Sequence, residues 1–264
     1  LLAHQKAYDI NSSDPELLNN LAITHKYLGD YDKAAFFLRQ AIALRPDYSE
    51  AKYNLALVLW ASQRFPEAFQ LYENRFDALD TIGARHQIDK PLWSGDRERV
   101  LVWREQGIGD EILFCSTLPE LSACVSKLVV EVDKRLLSIF ERSFDRSIEF
   151  VIDRNLIDPN EYDSHIAMGS QFGFFRQSLD DFSVTSSGYL KADFVGRSRF
   201  KMQVRRSYES LLVGISWTTK SIQSFASFRE IPLDKLVEAL DIPGIQLVNL
   251  QYGIDEEELF ASTR

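Results

Sequence analysis

Cysteine and histidine are scarce in this 264-residue chain, with two of the first and four of the second. Cys115 and Cys124 form neither a metal-ligand pattern nor a disulfide framework. Both are expected to be buried apolar thiols in a reducing compartment. His4, His25, His86 and His165 are far apart, and none stands at metal spacing from another His, Cys or carboxylate, so no metal site is expected. Long hydrophobic runs are also missing: nothing approaches the roughly 18 apolar residues of a membrane span. No charged segment followed by an apolar one opens the chain, so no secretion signal is read and a cytoplasmic location is expected. Positive charge is in deficit, with 30 Lys and Arg against 39 Asp and Glu. A net charge of −9 argues against nucleic acid as a partner, because such binders present a basic face. The chain starts at Leu1 and, by the repeat described next, in the middle of a structural unit; it is expected to be a fragment.

What is present is an ordinary globular composition, 45% hydrophobic and 26% charged. An internal repeat opens it. A shift of 34 places Asn20-Leu21-Ala22 on Asn54-Leu55-Ala56, Tyr31 on Phe65, Ala34 on Ala68 and Leu38 on Tyr72. One shift back sets Ala7 under Ala41. This spacing resembles the tetratricopeptide repeat, a helix–turn–helix unit. Small Ala22 and Ala34 let two helices approach, Gly29 ends the first of them, and Pro46 closes the second. The second copy is looser, with Gln63 where Gly29 stood and Arg75 where Ala41 stood, as in a terminal repeat that caps a stack. About two and a half repeats are read, fewer than the roughly three a free-standing array needs. In such stacks the first helices line a concave groove, which would carry Asn19, Asn20, Lys26, Tyr53, Asn54 and Trp60. These residues either bind a protein or peptide, or pack between repeats or against the next domain.

From about residue 91 the periodicity changes. Apolar runs at 100–103, 128–132, 148–152, 165–168, 211–217 and 245–250 read as strands. Helical patterns at 110–124, 134–142, 172–179 and 233–240 lie between them. Alternation of this kind predicts βαβ units and a parallel sheet. A polar stretch at 180–191 and a basic one (Arg197, Arg199, Lys201, Arg205, Arg206), read as a solvated helix face, precede a second such unit.

The first strand leads into Glu105-Gln106-Gly107-Ile108-Gly109-Asp110-Glu111-Ile112. The carboxyl end of a strand is the expected ligand crevice of an open α/β sheet. Three readings of this loop compete. A dinucleotide fingerprint would use Gly107 and Gly109 with Asp133 as ribose partner, but its third position holds the bulky Ile112. A phosphate loop is not among them, because it needs Gly-Lys-Ser/Thr, which is absent. In a purely structural reading Asp110 is a helix-start acid favoured by the dipole.

The third reading rests on resemblance. The string at 105–110, then Leu118-Pro119-Glu120-Leu121, Tyr162-Asp163, Tyr189-Leu190-Lys191-Ala192, Val213-Gly214-Ile215-Ser216-Trp217 and Ile231-Pro232-Leu233, is similar to bacterial heptosyltransferase-like glycosyltransferases, over about residues 91–254. The resemblance implies an α plus α/β chain. Tetratricopeptide repeats (1–86) precede an N-terminal Rossmann-like glycosyltransferase domain (87–207) and an incomplete second Rossmann-like domain (208–264), a truncated GT-B fold. It implies transfer of a sugar from a nucleotide-sugar donor to a hydroxyl acceptor. Asp110 would be the general base, Gln106, Gly107 and Gly109 the acceptor loop, and Thr218, Thr219, Lys220 and Arg229 the donor contacts. No cofactor and no metal are implied. Because most donor contacts of the family lie beyond a point equivalent to Arg264, this segment alone is expected to be inactive. The alternative is a non-catalytic protein-binding module built on the repeats.

Overall fold

The computed structural model describes residues 2–79, 88–182, 188–204, 210–218 and 230–252. The chain divides into two compact units, Leu1–Lys191 and Ala192–Arg264. The expected boundaries at 86/87 and 207/208 fall on 80–87 and 205–209, outside the described residues, as do His86, Arg205 and Arg206.

The first unit opens with helices α1 (Leu2–Ile10), α2 (Pro15–Tyr27), α3 (Tyr31–Leu44), α4 (Ser49–Ala61), α5 (Phe65–Tyr72) and the short α6 (Arg75–Ala78). Their ends are written in the sequence. Asp14 caps α2 by accepting from the Glu16 amide, with Pro15 in the first turn, and Asp30 caps α3 by accepting from the Lys33 amide at 3.3 Å. Gly29 takes φ +76° between α2 and α3, and Gln63 takes φ +60° at the equivalent turn between α4 and α5. The second repeat therefore makes the same left-handed turn without glycine. The helices pack through alternating large and small apolar residues: Leu18, Leu21, Leu38, Leu55 and Leu59 lie against Ala22, Ala34, Ala41, Ala51 and Ala68, all buried. Each leucine so buried contributes about 1.5–3 kcal/mol, and each alanine permits the close approach.

Beyond residue 88 come β1 (Arg99–Trp103), α7 (Ile108–Phe114), α8 (Leu118–Cys124), β2 (Lys127–Glu131), α9 (Leu137–Ser143), β3 (Ile148–Val151), β4 (Ser164–Ala167) and α10 (Met168–Phe175). The four strands form one parallel sheet in the order β3-β2-β1-β4. The chain moves outward from β1 to β3, then returns to β4 on the other side of β1, so the direction of winding reverses between β1 and β4. Beyond β4, residues 91–93 cover the edge: Trp93 N donates to the His165 carbonyl and His165 N to the Pro91 carbonyl.

One face of the sheet (Val100, Val102, Leu128, Val130, Ile148, Ile166) packs on Phe114, Leu118, Leu121, Phe140 and Phe172 of the helices. Ala56 and Tyr72 of the last repeat belong to the same core, with Tyr53, Trp60 and Phe69 at its margin. The repeats and the first sheet thus share one continuous interior.

Three expectations change. The single helix at 110–124 is two helices joined by a 3-10 turn, Cys115–Thr117, because Pro119 suits a first helical turn and not an interior. The strand at 165–168 ends at Ala167, and Met168 starts α10. Of the two cysteines only Cys115 is buried; Cys124, at the end of α8, is exposed.

The second unit holds α11 (Phe194–Val204), β5 (Leu211–Ile215), α12 (Leu233–Ala239) and β6 (Ile245–Asn249). β5 and β6 pair in parallel. The basic residues Arg197, Arg199 and Lys201 lie on α11, which buries none of its side chains. No helix is long and apolar enough to cross a membrane among the described residues.

Candidate functional site

β1 delivers the segment 104–107 to the carboxyl edge of the sheet, where the winding reverses. Such a reversal leaves a crevice that flanking connections do not fill. Gly107 is the N-cap of α7 with φ −82° and ψ 171°, and Asp110, at the third helical position, accepts from the Gly107 amide at 3.1 Å. Asp110 Oδ1 has no partner among the described residues, and the side chain is half-buried. The glycines are not needed for backbone strain, since neither takes a positive φ. A Cβ on Gly107 would meet only Asp110 Oδ2 at 3.4 Å, and one on Gly109 would meet nothing within 4 Å. Their bareness leaves the outer side of the helix start open.

The loop is held from below by the repeats. Arg75, fully buried, places Nε 2.7 Å from Glu105 Oε2 and Nη2 2.9 Å from Glu105 Oε1. Gln106 donates from Nε2 to the Tyr72 hydroxyl. Tyr53 lies beside Tyr72, the rings tilted by 31° with centroids 6.0 Å apart. Burial raises the Tyr53 hydroxyl pKa, and the nearby Asp110 carboxylate raises it further. Burial likewise raises that of Tyr72. Both phenols stay protonated at neutral pH and can donate.

A second charged cluster lines the same sheet edge. Glu111, almost fully buried, accepts from the Asp133 amide at 2.8 Å and Arg104 Nε at 2.9 Å. Burial raises its carboxyl pKa against those donors. Asp133 accepts from Arg135 Nε and Nη2 at 2.8 Å each and from Arg104 Nη2 at 3.1 Å. These arginines hold its pKa well below the usual carboxylate range, hydrogen bonds from Arg135 first. Glu131 pairs with Arg154 at 2.5 Å. Asp133 is occupied with cations, and Ile112 packs against the sheet core. The dinucleotide reading therefore loses both its ribose partner and its third glycine position.

The expected groove residues divide. Asn19 and Asn54 are buried and bonded to each other, Asn54 Nδ2 to Asn19 Oδ1 at 3.0 Å, while Asn19 Nδ2 donates to Glu50 Oε1 at 3.2 Å. Asn20 is exposed; half-buried Lys26 has its pKa lowered by burial and sits 5.4 Å from the Tyr27 ring. Trp60 lies 4.3 Å from Tyr72 and 5.2 Å from Phe69 by ring centroids, and its indole N–H has no partner among the described residues.

In the second unit, Gln251 Oε1 accepts from Ser216 Oγ, Trp217 N and Thr218 N at 2.9 to 3.0 Å, which gathers the turn after β5 around one amide. Thr218 Oγ1 donates to Glu230 Oε1 at 3.0 Å. Thr219, Lys220 and Arg229 lie outside the described residues. Gln251, Arg75 and Glu105 were not singled out from the sequence as site residues. Arg75 left one trace there, as the arginine that replaces an alanine at a packed repeat position.

A cavity of about 710 Å³ in the first unit is lined by Glu73, Phe76, Trp103, His165, Ala167 and Ser170 among others, and so reaches the ends of β1 and β4; Asp110, Gln106 and the two glycines take no part in it. No cluster of three or more His, Cys, Asp or Glu able to hold a metal occurs among the described residues.

The helical pairs at the N-terminus are tetratricopeptide repeats: the family model described by that name matches residues 27–74. Protein FlbA of Caulobacter vibrioides is similar over 96% of this chain at 24% identity, and the chain spans about half of that relative, 52% of its length. The tetratricopeptide domain of Sgt2 from Aspergillus fumigatus is 26% identical, covering 31% of this chain and 54% of that one, with a TM-score of 0.28. An O-GlcNAc transferase of Thermobaculum terrenum is 14% identical, covering 98% of this chain and 67% of that one, again with a TM-score of 0.28. Superpositions this loose carry no argument about function.

Proposed function

We propose that the chain is part of a glycosyltransferase-like protein that moves a sugar from a nucleotide-sugar donor to a hydroxyl acceptor. The parallel sheet of the first unit is its N-terminal Rossmann-like domain, and the second unit begins the other half of a GT-B fold. The observation that carries this reading is the Asp110 carboxylate: half-exposed, one oxygen uncommitted, at the carboxyl edge of β1 where the winding reverses.

In the proposed step Asp110 accepts the acceptor hydroxyl's proton as that oxygen bonds to the anomeric carbon. The bond from the anomeric carbon to the nucleoside diphosphate breaks, and the diphosphate leaves with the electron pair. Gln106, Gly107 and Gly109 form the acceptor side, where the open helix start leaves room for a sugar ring. Thr218, Thr219, Lys220 and Arg229 contact the donor, the cations offsetting diphosphate charge. No cofactor is assigned, nucleotide-sugar being substrate, and the location proposed is cytoplasmic. The repeats bind a protein or peptide through the groove side chains Tyr53, Trp60, Asn20 and Lys26, with Asn19 and Asn54 fixing the spacing between repeats.

The test is turnover of a panel of nucleotide sugars by the full-length protein and its Asp110→Asn variant. Loss of roughly 100-fold or more in kcat supports the base role, whereas equal turnover removes Asp110 from the mechanism. A second reading, a non-catalytic protein-binding module, is favoured by the repeat match at 27–74. It gains if no donor is turned over while Tyr53→Ala with Trp60→Ala abolishes capture of a partner.

A further inference from the structure

An arginine removed from water must spend all its N–H groups on partners, and Arg75 does. Nε and Nη2 engage both oxygens of Glu105, Nη2 also reaches Ser170 Oγ at 2.7 Å, and Nη1 reaches the Tyr72 carbonyl at 3.0 Å and Glu73 Oε1 at 3.1 Å. The guanidinium Cζ lies over the Tyr72 and Phe76 rings, 4.3 Å and 4.0 Å from their centroids. Glu105, equally buried, takes a third bond from Gly169 N at 2.6 Å. A Cβ at residue 169 would stand 2.7 Å from Glu105 Oε1, so only glycine admits this approach. The pair therefore ties together three segments: the end of the last repeat, the exit of β1 and the start of α10.

Burying two charges is a poor route to stability, since well-packed apolar side chains commonly do as well or better. What a buried bidentate pair supplies is a defined geometry. Here that geometry belongs to the residues just before Gly107 and the start of α7. Glu105 and Gln106 are consecutive, and both are anchored to repeat residues, Arg75 and Tyr72. Gly107 follows and is bonded to Asp110.

We infer that Arg75 is a positioning residue: through Glu105 it sets the loop that presents Asp110, so the last repeat forms part of the site's scaffold as well as a docking stack. Its bearing on turnover rests on the transferase reading above; its bearing on loop geometry does not.

The experiment is hydrogen–deuterium exchange on the full-length protein and on Arg75→Met, Glu105→Gln and the double variant Arg75→Met with Glu105→Leu. Amides of β2 and β3 serve as internal reference. The single variants are expected to melt earlier and to exchange roughly tenfold faster at 106–110 than the wild type, with β2 and β3 unchanged. The double variant, free of an unpaired buried charge, is expected to regain melting temperature but not loop protection. A role confined to stability would overturn the inference, and it shows either as exchange at 106–110 that rises only in step with β2 and β3, or as a double variant that regains both properties. Should Arg75→Met fail to fold, Glu105→Gln decides by the same comparison. Where a nucleotide sugar is turned over, kcat is expected to fall in all three variants with donor KM unchanged. A protein inert towards every nucleotide sugar would sink the transferase reading and leave the exchange result standing.

Discussion

Arg75 and Glu105 face each other side-on at 2.7 and 2.9 Å, one from the end of the helical repeats and the other from the first turn beyond β1. Burial by itself would make the guanidinium easier to deprotonate, but Glu105 and Glu73 hold its pKa above the ordinary value. The guanidinium is thus charged in the folded protein, and removing either partner leaves buried hydrogen-bonding groups of the other without a mate. Arg75→Ala is expected to cost about 3–5 kcal/mol, a fall in Tm on the order of 10 °C for a unit of this size. Thermal melts followed by circular dichroism would check it; a change under 2 °C, within the ordinary range for a surface substitution, would contradict the ion pair's burial.

Gly169 is the tightest point of that network. Besides Glu105 Oε1, its absent Cβ would lie 3.1 Å from Tyr72 and 3.2 Å from Phe114. Gly169→Ala is expected to destabilise by about 1–3 kcal/mol and to displace Glu105. Denaturant titration gives the first, and loop exchange rates give the second.

Gln63 offers a change in the other direction. It holds φ +60° where the preceding repeat uses Gly29 at +76°. Gln63→Gly relieves a left-handed backbone and is expected to stabilise by about 0.5–1 kcal/mol, after the loss of unfolded-state restriction is subtracted. The melting temperature should rise by about 1–4 °C; a fall would mean the side chain has a packing role.

Asp163 carries a pH signature. Arg99 donates to it from Nη2 at 2.6 Å, from Nε at 3.0 Å and from its backbone amide at 3.1 Å. Those hydrogen bonds lower its pKa to about 2. The folded value lies below the unfolded one of about 3.9, so the stabilisation is present above that pH and fades as pH falls toward 2. The stability gap between wild type and Asp163→Asn should be widest above about pH 5 and close as pH drops to about 2. The pair is roughly two-fifths exposed, so added salt should shrink the gap as well.

The strands were legible because each is a short apolar run between polar turns, and all six lie within two residues of the expected starts. The repeat was legible through its small residues: Ala22, Ala34 and Ala56 are buried completely, as close helix contact requires. Arg75 misled for the same reason. At the place of Ala41 it looked like a weakened repeat, because nothing local shows that its partner lies 30 residues away. The conformation of the two loop glycines was not legible: Gly107 uses an ordinary φ and Gly109 is helical. Their spacing described an open surface, which periodicity does not report. Asn19 and Asn54 show the limit of reading a groove from helix faces, since an amide pair spanning 35 residues satisfies itself between repeats.

Ala56 and Tyr72 sit among Val100, Leu128 and Phe140 in the interior of the first unit. Severing the polypeptide between residues 79 and 88 to obtain an isolated bait of helices would therefore leave a raw aromatic wound on each half. Dissection by truncation would report stickiness in place of partner choice. Substitutions in the intact molecule are the cleaner instrument here.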